Sequence, residues 1–334
     1  MTNTRSEGSG GPRQPAGTEG TGDRFADARA LAARLSDAAG GSVEAVILYG
    51  SHILGANPDR HSALDFVLVV DGYRRFYAAM HEAGELHRPV WLFAGLANIL
   101  PPNVIAYTPD EGASGLAKCL VVSRDHFTLG TSPLPRDHFL AARLVQKVAV
   151  IWAADDARRQ WVEKRLAGAQ DAALTWVAPW LEGSFDAETV GRKLLEVCYR
   201  SEFRPEARNR AEVVFAVQRE HFRDALGRVL ERAEREGSVI QASEGRLRLV
   251  SPPPPAERRR WRRYFRRSKA RATARWVKHV LTFDNWLPYI VRKVERRTGR
   301  PVRLTRVERR WPLIFLWPRM IRVFMTRPER EEPS

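Results

Sequence analysis

Apolar residues gather into two runs of strand length, Val46 to Tyr49 and Leu64 to Val70, separated by a polar stretch rich in Gly, Asn, Pro and Asp. Runs dense in Val, Ile and Leu and bounded by turn formers predict two neighbouring β-strands. Elements on either side follow from the same patterning. Phe25, Ala28, Leu31, Ala32 and Leu35 recur at helical spacing and predict a helix over 25–39 against the sheet. Residues 73–83 read as a crossover helix, 101–109 as loop and short strand, 116–123 as a strand, 136–146 as a helix and 148–152 as a short strand. From Asp155 onward the pattern is helical. Trp161, Leu166, Ala173, Trp176 and Trp180 read as core, and Val190, Leu194, Leu195 and Val197 as the apolar face of a helix over 188–203. A single helix is expected over 211–235, then a hairpin over 238–250 turning at Glu244-Gly245.

The predicted class is α/β in the broad sense (α+β), a mixed sheet with helices followed by a helical, winged-helix-like unit. A chain of 334 residues with 44% hydrophobic content holds enough apolar material for two domains. The expected division is 1–24 as a disordered polar tail, 25–152 and 153–250 as the two domains, 251–255 (SPPPP) as a linker, and 256–334 as a basic, Trp-rich region. The first two dozen residues lack the apolar core of a secretory signal, and Glu7, Glu19 and Asp23 interrupt any basic presequence. Cys119 and Cys198 are too few for a disulfide framework or a metal cluster and read as buried thiols in a reducing compartment.

Charge changes the picture. Residues 251–334 carry 24 Lys and Arg against 7 Asp and Glu, a net of +17, while the other 250 residues sum to −1. The helix-and-hairpin unit is therefore not basic, which argues against a winged helix that reads DNA and makes a nucleic-acid partner unlikely. Half of the ten Trp residues (Trp261, Trp276, Trp286, Trp311, Trp317) lie in the basic quarter among Arg. Arg with Trp suits an anionic bilayer surface, ring at headgroup level and guanidinium on phosphate. The run 311–325 is interrupted by Pro312, Pro318, Arg319 and Arg322 and is too broken to span a bilayer, which needs about 20 apolar residues. The expectation is peripheral attachment at the cytoplasmic face through the C-terminal region. A nucleic-acid patch over 258–271 is the competing reading of the same composition.

Candidate chemistry sits at the strand ends. A Gly50-Ser51 turn lets backbone N–H groups approach a phosphate, and Asp65 on the next strand can hold a divalent cation, Mg2+ or another, against it. Asp71 has two readings, a further metal ligand or a helix N-cap. Lys118, the only charge in its strand, either snorkels at a sheet edge or points at an anionic ligand. Arg143 and Lys147, one turn apart on the expected helix, either bind phosphates in tandem or form a solvated face.

Gly-Ser, a loop and an Asp-bearing strand resemble the nucleotidyltransferase superfamily, with Ala63 where the first Asp of D-x-D stands. Tyr49-Gly50-Ser51, Leu64-Asp65-Phe66 and Val70-Asp71 are similar to the YGS, (V/L)DF and VDD segments of the mitochondrial translocator assembly and maintenance type of phosphatidate cytidylyltransferase, which also lacks that Asp. Ala117 to Ser123, Ala141 to Leu144 with Lys147, and Cys198 to Arg204 resemble further segments in order, across about residues 40–215. The family's WH pair falls on Phe76-Tyr77, and its GSG on Gly50-Ser51-His52. The resemblance implies a CDP-diacylglycerol synthase of phospholipid and cardiolipin biosynthesis, acting on CTP and phosphatidic acid with Mg2+. It implies Asp65 as the catalytic metal carboxylate, Tyr49, Gly50, Ser51 and Lys118 at the nucleotide, and Arg143, Lys147, Tyr199, Glu202 and Arg204 at substrate phosphate. Two alternatives stand beside it: a nucleotidyltransferase with another acceptor, and a non-catalytic adaptor of the same fold for membrane or nucleic acid.

Overall fold

The computed structural model describes residues 25–54, 63–108, 116–201, 210–242 and 245–282, and Thr305. The expectations for residues 1–24, for Glu202 and Arg204, for the turn residue Glu244 and for residues 283–334 other than Thr305 lie outside the described residues.

In chain order, α1 (Ala26–Ala38) leads into β1 (Val43–Tyr49), the short α2 (Ser51–Leu54), β2 (Leu64–Val70), α3 (Tyr73–Glu82), α4 (Val90–Ile99), β3 (Asn103–Tyr107) and β4 (Ala117–Ser123). Then come α5 (Arg124–Gly130), α6 (Ala141–Leu144), β5 (Ala149–Ala153), α7 (Asp156–Asp171), α8 (Ala173–Val177) and α9 (Ala187–Arg200). The described chain finishes with α10 (Arg210–Val217), α11 (Arg219–Arg235), the hairpin β6 (Val239–Gln241) and β7 (Leu247–Leu249), and α12 (Pro255–Thr282). The class is α+β, as expected. The sheet order is β3-β4-β2-β1-β5, with β2 and β4 parallel and the other neighbours antiparallel.

Both faces of the sheet are covered, which is why its central strands read as continuous apolar runs rather than alternating ones. On one face Val46, Leu48, Phe66, Leu68 and Val121 pack with Leu31 and Leu35 of α1, Phe76 and Tyr77 of α3 and Phe93 of α4. On the other, Ala45, Ile47, Val67, Val69, Leu120 and Val122 pack with Phe127 of α5, Leu144 of α6 and Val162 and Leu166 of α7. A third core joins Trp176, Phe185, Leu194, Leu195, Phe215, Phe222 and Leu226 of the helical half to Trp261 and Phe265 of α12. Both cysteines are buried free thiols.

Three expected elements are corrected. The helix expected over 136–146 shrinks to the four residues of α6. Asp137 and His138 are engaged by α12 instead: Arg271 Nε donates to Asp137 Oδ2 at 2.8 Å, and His138 N donates to Ser268 Oγ at 3.0 Å. Lys147 therefore falls beyond α6 and shares no helical face with Arg143. The helix expected over 211–235 breaks at the buried Gln218, whose side chain accepts from Lys147 N at 2.8 Å and donates to Gln146 Oε1 at 3.2 Å. The helix expected over 188–203 starts one residue earlier, where Asp186 caps it by accepting from Thr189 N at 2.8 Å, and stops at Arg200.

The basic region begins with structure rather than with a linker. Pro255 opens α12, a position where its missing N–H costs nothing. Trp261, Phe265, Ser268, Ala272, Arg275 and Lys278 are buried and recur at three- and four-residue spacing, one stripe of the helix. Trp261, read from composition as a bilayer anchor, is instead 4% exposed in the protein's own core. Among the described residues, no helix is long and apolar enough to cross a membrane.

Candidate functional site

The register of the sheet brings the sequence-predicted residues into one row. Asp65 of β2 faces Tyr49 of β1 on one side and Lys118 of β4 on the other, and Lys118 in turn faces Ala106 of β3. Successive side chains alternate between faces, so Tyr49, Asp65 and Lys118 lie on the face that Ile47, Val67 and Leu120 line two residues further in. The row is half-buried at one end of the sheet. Because β4 lies between β3 and β2, Lys118 is on an interior strand, and the sheet-edge reading of this residue is excluded.

Gly50 closes the row. Its φ is +83°, a left-handed conformation that side chains rarely adopt, and a Cβ placed there would stand 2.7 Å from Asp65 Oδ2. The turn thus needs glycine twice over, for its backbone and for the close approach of the Asp65 carboxylate. Ser51 follows as the first residue of α2. Burial pushes the Cys119 thiol up, and the Asp65 carboxylate adds to the shift, so the charge of Asp65 is felt inside the sheet.

The segment ahead of α6 and the last turns of α12 cover this face. Phe139 packs against its core, and its ring carries two guanidiniums, Arg143 at 3.8 Å and Arg275 at 4.3 Å from the centroid. Arg143 Nη1 also donates to Phe139 O at 2.6 Å. Arg275, 1% exposed, donates through Nε to Pro101 O at 2.9 Å and through Nη2 to Asp137 Oδ2 at 2.9 Å. Burial would raise the Asp137 carboxyl, but Arg275 and Arg271 overcome it and hold the group below its ordinary value. Lys278 donates to Pro102 O at 2.8 Å, to Leu96 O at 3.5 Å and to Leu100 O. Burial, with Arg275 adding, pushes its ammonium down to about 6.

Other candidates fall elsewhere. Asp71 follows the far end of β2, its N–H donating to Ser42 O at 3.0 Å. Six residues of strand at about 3.3 Å each separate it from Asp65, about 20 Å, so the two cannot share a metal ion. It is not an N-cap either: Gly72 holds that position, and the Asp71 carboxylate pairs with Arg75. Lys147 lies by α11, where its backbone N–H meets Gln218 and its charge helps to lower His221 after burial and against the bond His221 donates to Val145 O. Tyr199 packs on the helical core. Asp137, Arg275, Lys278 and His279 were not anticipated. For Arg275 and Lys278 the signal was the period of the α12 stripe, which places them in line with Trp261 and Phe265.

No cluster of three or more His, Cys, Asp or Glu side chains able to hold a metal ion occurs among the described residues. The shown donor set is one carboxylate, Asp65, with the Ser51 hydroxyl two turn positions beyond Tyr49. That set fits an ion of the Mg2+ kind, which keeps several waters and is held by one or two carboxylates plus substrate phosphates. Compared with models of known protein families and with curated proteins, the chain matches none.

Proposed function

We propose that this chain is a nucleotidyltransferase that passes CMP from CTP to phosphatidic acid, giving CDP-diacylglycerol and pyrophosphate. The observation that carries the reading is the Tyr49, Asp65 and Lys118 row with Gly50 against the carboxylate, an anion-cradling turn, a metal-competent carboxylate and a cation side by side. The choice of cytidine and of phosphatidate rests on the likeness of Tyr49-Gly50-Ser51, Leu64-Asp65-Phe66 and Val70-Asp71 to the phosphatidate cytidylyltransferase segments.

In this mechanism a phosphate oxygen of phosphatidic acid forms a bond to the α-phosphorus of CTP, the bond from that phosphorus to the bridging oxygen breaks, and pyrophosphate leaves with the electron pair. The nucleophile is already an anion, so the chain needs no strong general base. Its work is alignment and charge neutralisation. Asp65 would hold Mg2+, which supplies charge neutralisation on the phosphates when bound. Gly50 leaves room for that carboxylate, and Lys118 and Arg143 attract the phosphates.

Attachment to an anionic membrane is the second part of the proposal. A groove of about 840 Å³ between α9 and α12 is lined by Arg259, Arg262, Arg266 and Lys269, with Lys193 and Arg200 paired to Glu196, over the apolar Trp180 and Phe265, a net-cationic lining suited to phosphate-bearing amphiphiles. The test is incorporation of radiolabelled CTP into chloroform-extractable lipid by the purified protein with phosphatidic acid vesicles and Mg2+. Label that disappears with Asp65→Ala is the expected result. Measurable CTP binding without lipid label would reject phosphatidate as the acceptor and leave a transferase of another substrate.

A further inference from the structure

The end of α12 carries more buried cationic capacity than its protein partners use. Arg275 is satisfied at Nε and Nη2, yet its Nη1 is buried with no hydrogen-bond partner, and the same holds for Nε2 of His279. A buried polar atom left unsatisfied is costly, the more so on a charged group, so two of them within four residues of one helix call for a ligand. Acids are scarce here: Arg271 and Arg275 share the single Asp137 carboxylate. Arg143 lies on the same Phe139 ring as Arg275, while Lys278 holds the turn before β3, at the end of that strand away from the one that faces Lys118.

We propose that α12 forms the polyphosphate wall of this site, with Arg275 Nη1 and His279 Nε2 joining Arg143 to hold the β- and γ-phosphates that leave as pyrophosphate. The inference rests on the nucleotidyltransferase reading and deepens it: the helix that follows the hairpin completes a site begun about 230 residues earlier in the chain. Developing charge on the departing pyrophosphate is met by fixed donors already in place, so little reorganisation accompanies bond breaking. The groups facing His279 agree with an anion subsite. Burial lowers the imidazole to about 3, and Lys278, then Lys118, Arg275 and Arg143, add their repulsion. An anion among these cations reverses that repulsion and favours the imidazolium.

Inorganic tripolyphosphate, without metal or nucleotide, is the probe, titrated calorimetrically into the full-length protein at pH 7. The expected result is binding. His279→Gln should weaken it by about tenfold or more, the worth of one charge-assisted hydrogen bond, while the melting temperature holds. A second variant, Asp137→Asn with Arg275→Gln, removes the ion pair as a unit and should weaken binding to a similar extent. Tripolyphosphate binding unchanged in His279→Gln, or absent from the wild type, would overturn the inference. Label transfer to lipid is read separately: transfer with unaltered tripolyphosphate binding in the variants sinks only the α12 wall, whereas tripolyphosphate binding by the wall without transfer sinks only the assigned reaction.

Discussion

Replacing Gly50 by alanine tests the heart of the site because two separable costs meet there. The first is conformational: φ is +83°, and an L-residue in the left-handed region loses about 1–2 kcal/mol. The second is steric and local. The new Cβ would lie 2.7 Å from Asp65 Oδ2, whereas ordinary contact begins near 3.4 Å, so the carboxylate must retreat by about 0.7 Å. Gly41→Ala provides the matched control, with φ +69° and nothing within 4 Å of the added Cβ, at the opposite end of β1. Gly41→Ala should therefore lose about 1–2 kcal/mol and melt about 2–8 °C lower, and Gly50→Ala should lose at least as much. Only Gly50→Ala should lose function, since misplacing a reacting group by about 1 Å can cost on the order of 100-fold in rate. The assays are thermal denaturation and the kcat/KM for CTP-dependent label transfer. Full activity in Gly50→Ala, or equal losses in the two variants, would refute the claim that this glycine exists to make room for Asp65.

Four further outcomes are expected. Asp137→Asn leaves the buried Arg275 without its counter-charge and should cost about 3–5 kcal/mol in urea unfolding, whereas Asp71→Asn, which breaks a more exposed pair with Arg75, should stay within about 0.5 kcal/mol. The depressed Asp137 carboxyl stabilises the fold above the unfolded value of about 3.9, and that contribution should vanish as pH falls through the folded value, seen as acid-induced loss of α12 packing by Trp fluorescence. For Lys278, held near 6, the unfolded chain binds a proton that the folded chain sheds across pH 6 to 10.5. Stability of the wild type relative to Lys278→Met should thus rise from pH 7 to pH 9 in urea titrations, and parallel curves would show that its carbonyl partners keep the ammonium charged. Ending the chain after residue 250 exposes the core beneath Trp261 and Phe265, so the product should show a broad, low-temperature unfolding transition rather than behave as a self-sufficient domain pair.

The sequence by itself determined the sheet strands, α1 and α3, the core residues Trp176 and Leu194 among their helices, and the hairpin, because each depends on short-range periodicity and turn residues that a local window contains. It also singled out Gly50, Asp65 and Lys118, which stand out against apolar neighbours. Only the tertiary structure decided that these three share a row, because register is set by pairing between strands distant in sequence. The same holds where local pattern misled. Asp71 looked like a second ligand by its place in the chain, but a strand carries it about 20 Å away. Lys147 matched a helical spacing, but α6 ends at Leu144 and the Lys147 N–H turns to Gln218 instead. Arg275 and His279 sat inside a basic run whose composition suits a solvated surface, a bilayer or a nucleic acid equally well. Burial separates those readings, and burial belongs to α12 packed against the α4–β3 turn and Asp137, contacts made across more than a hundred residues of chain.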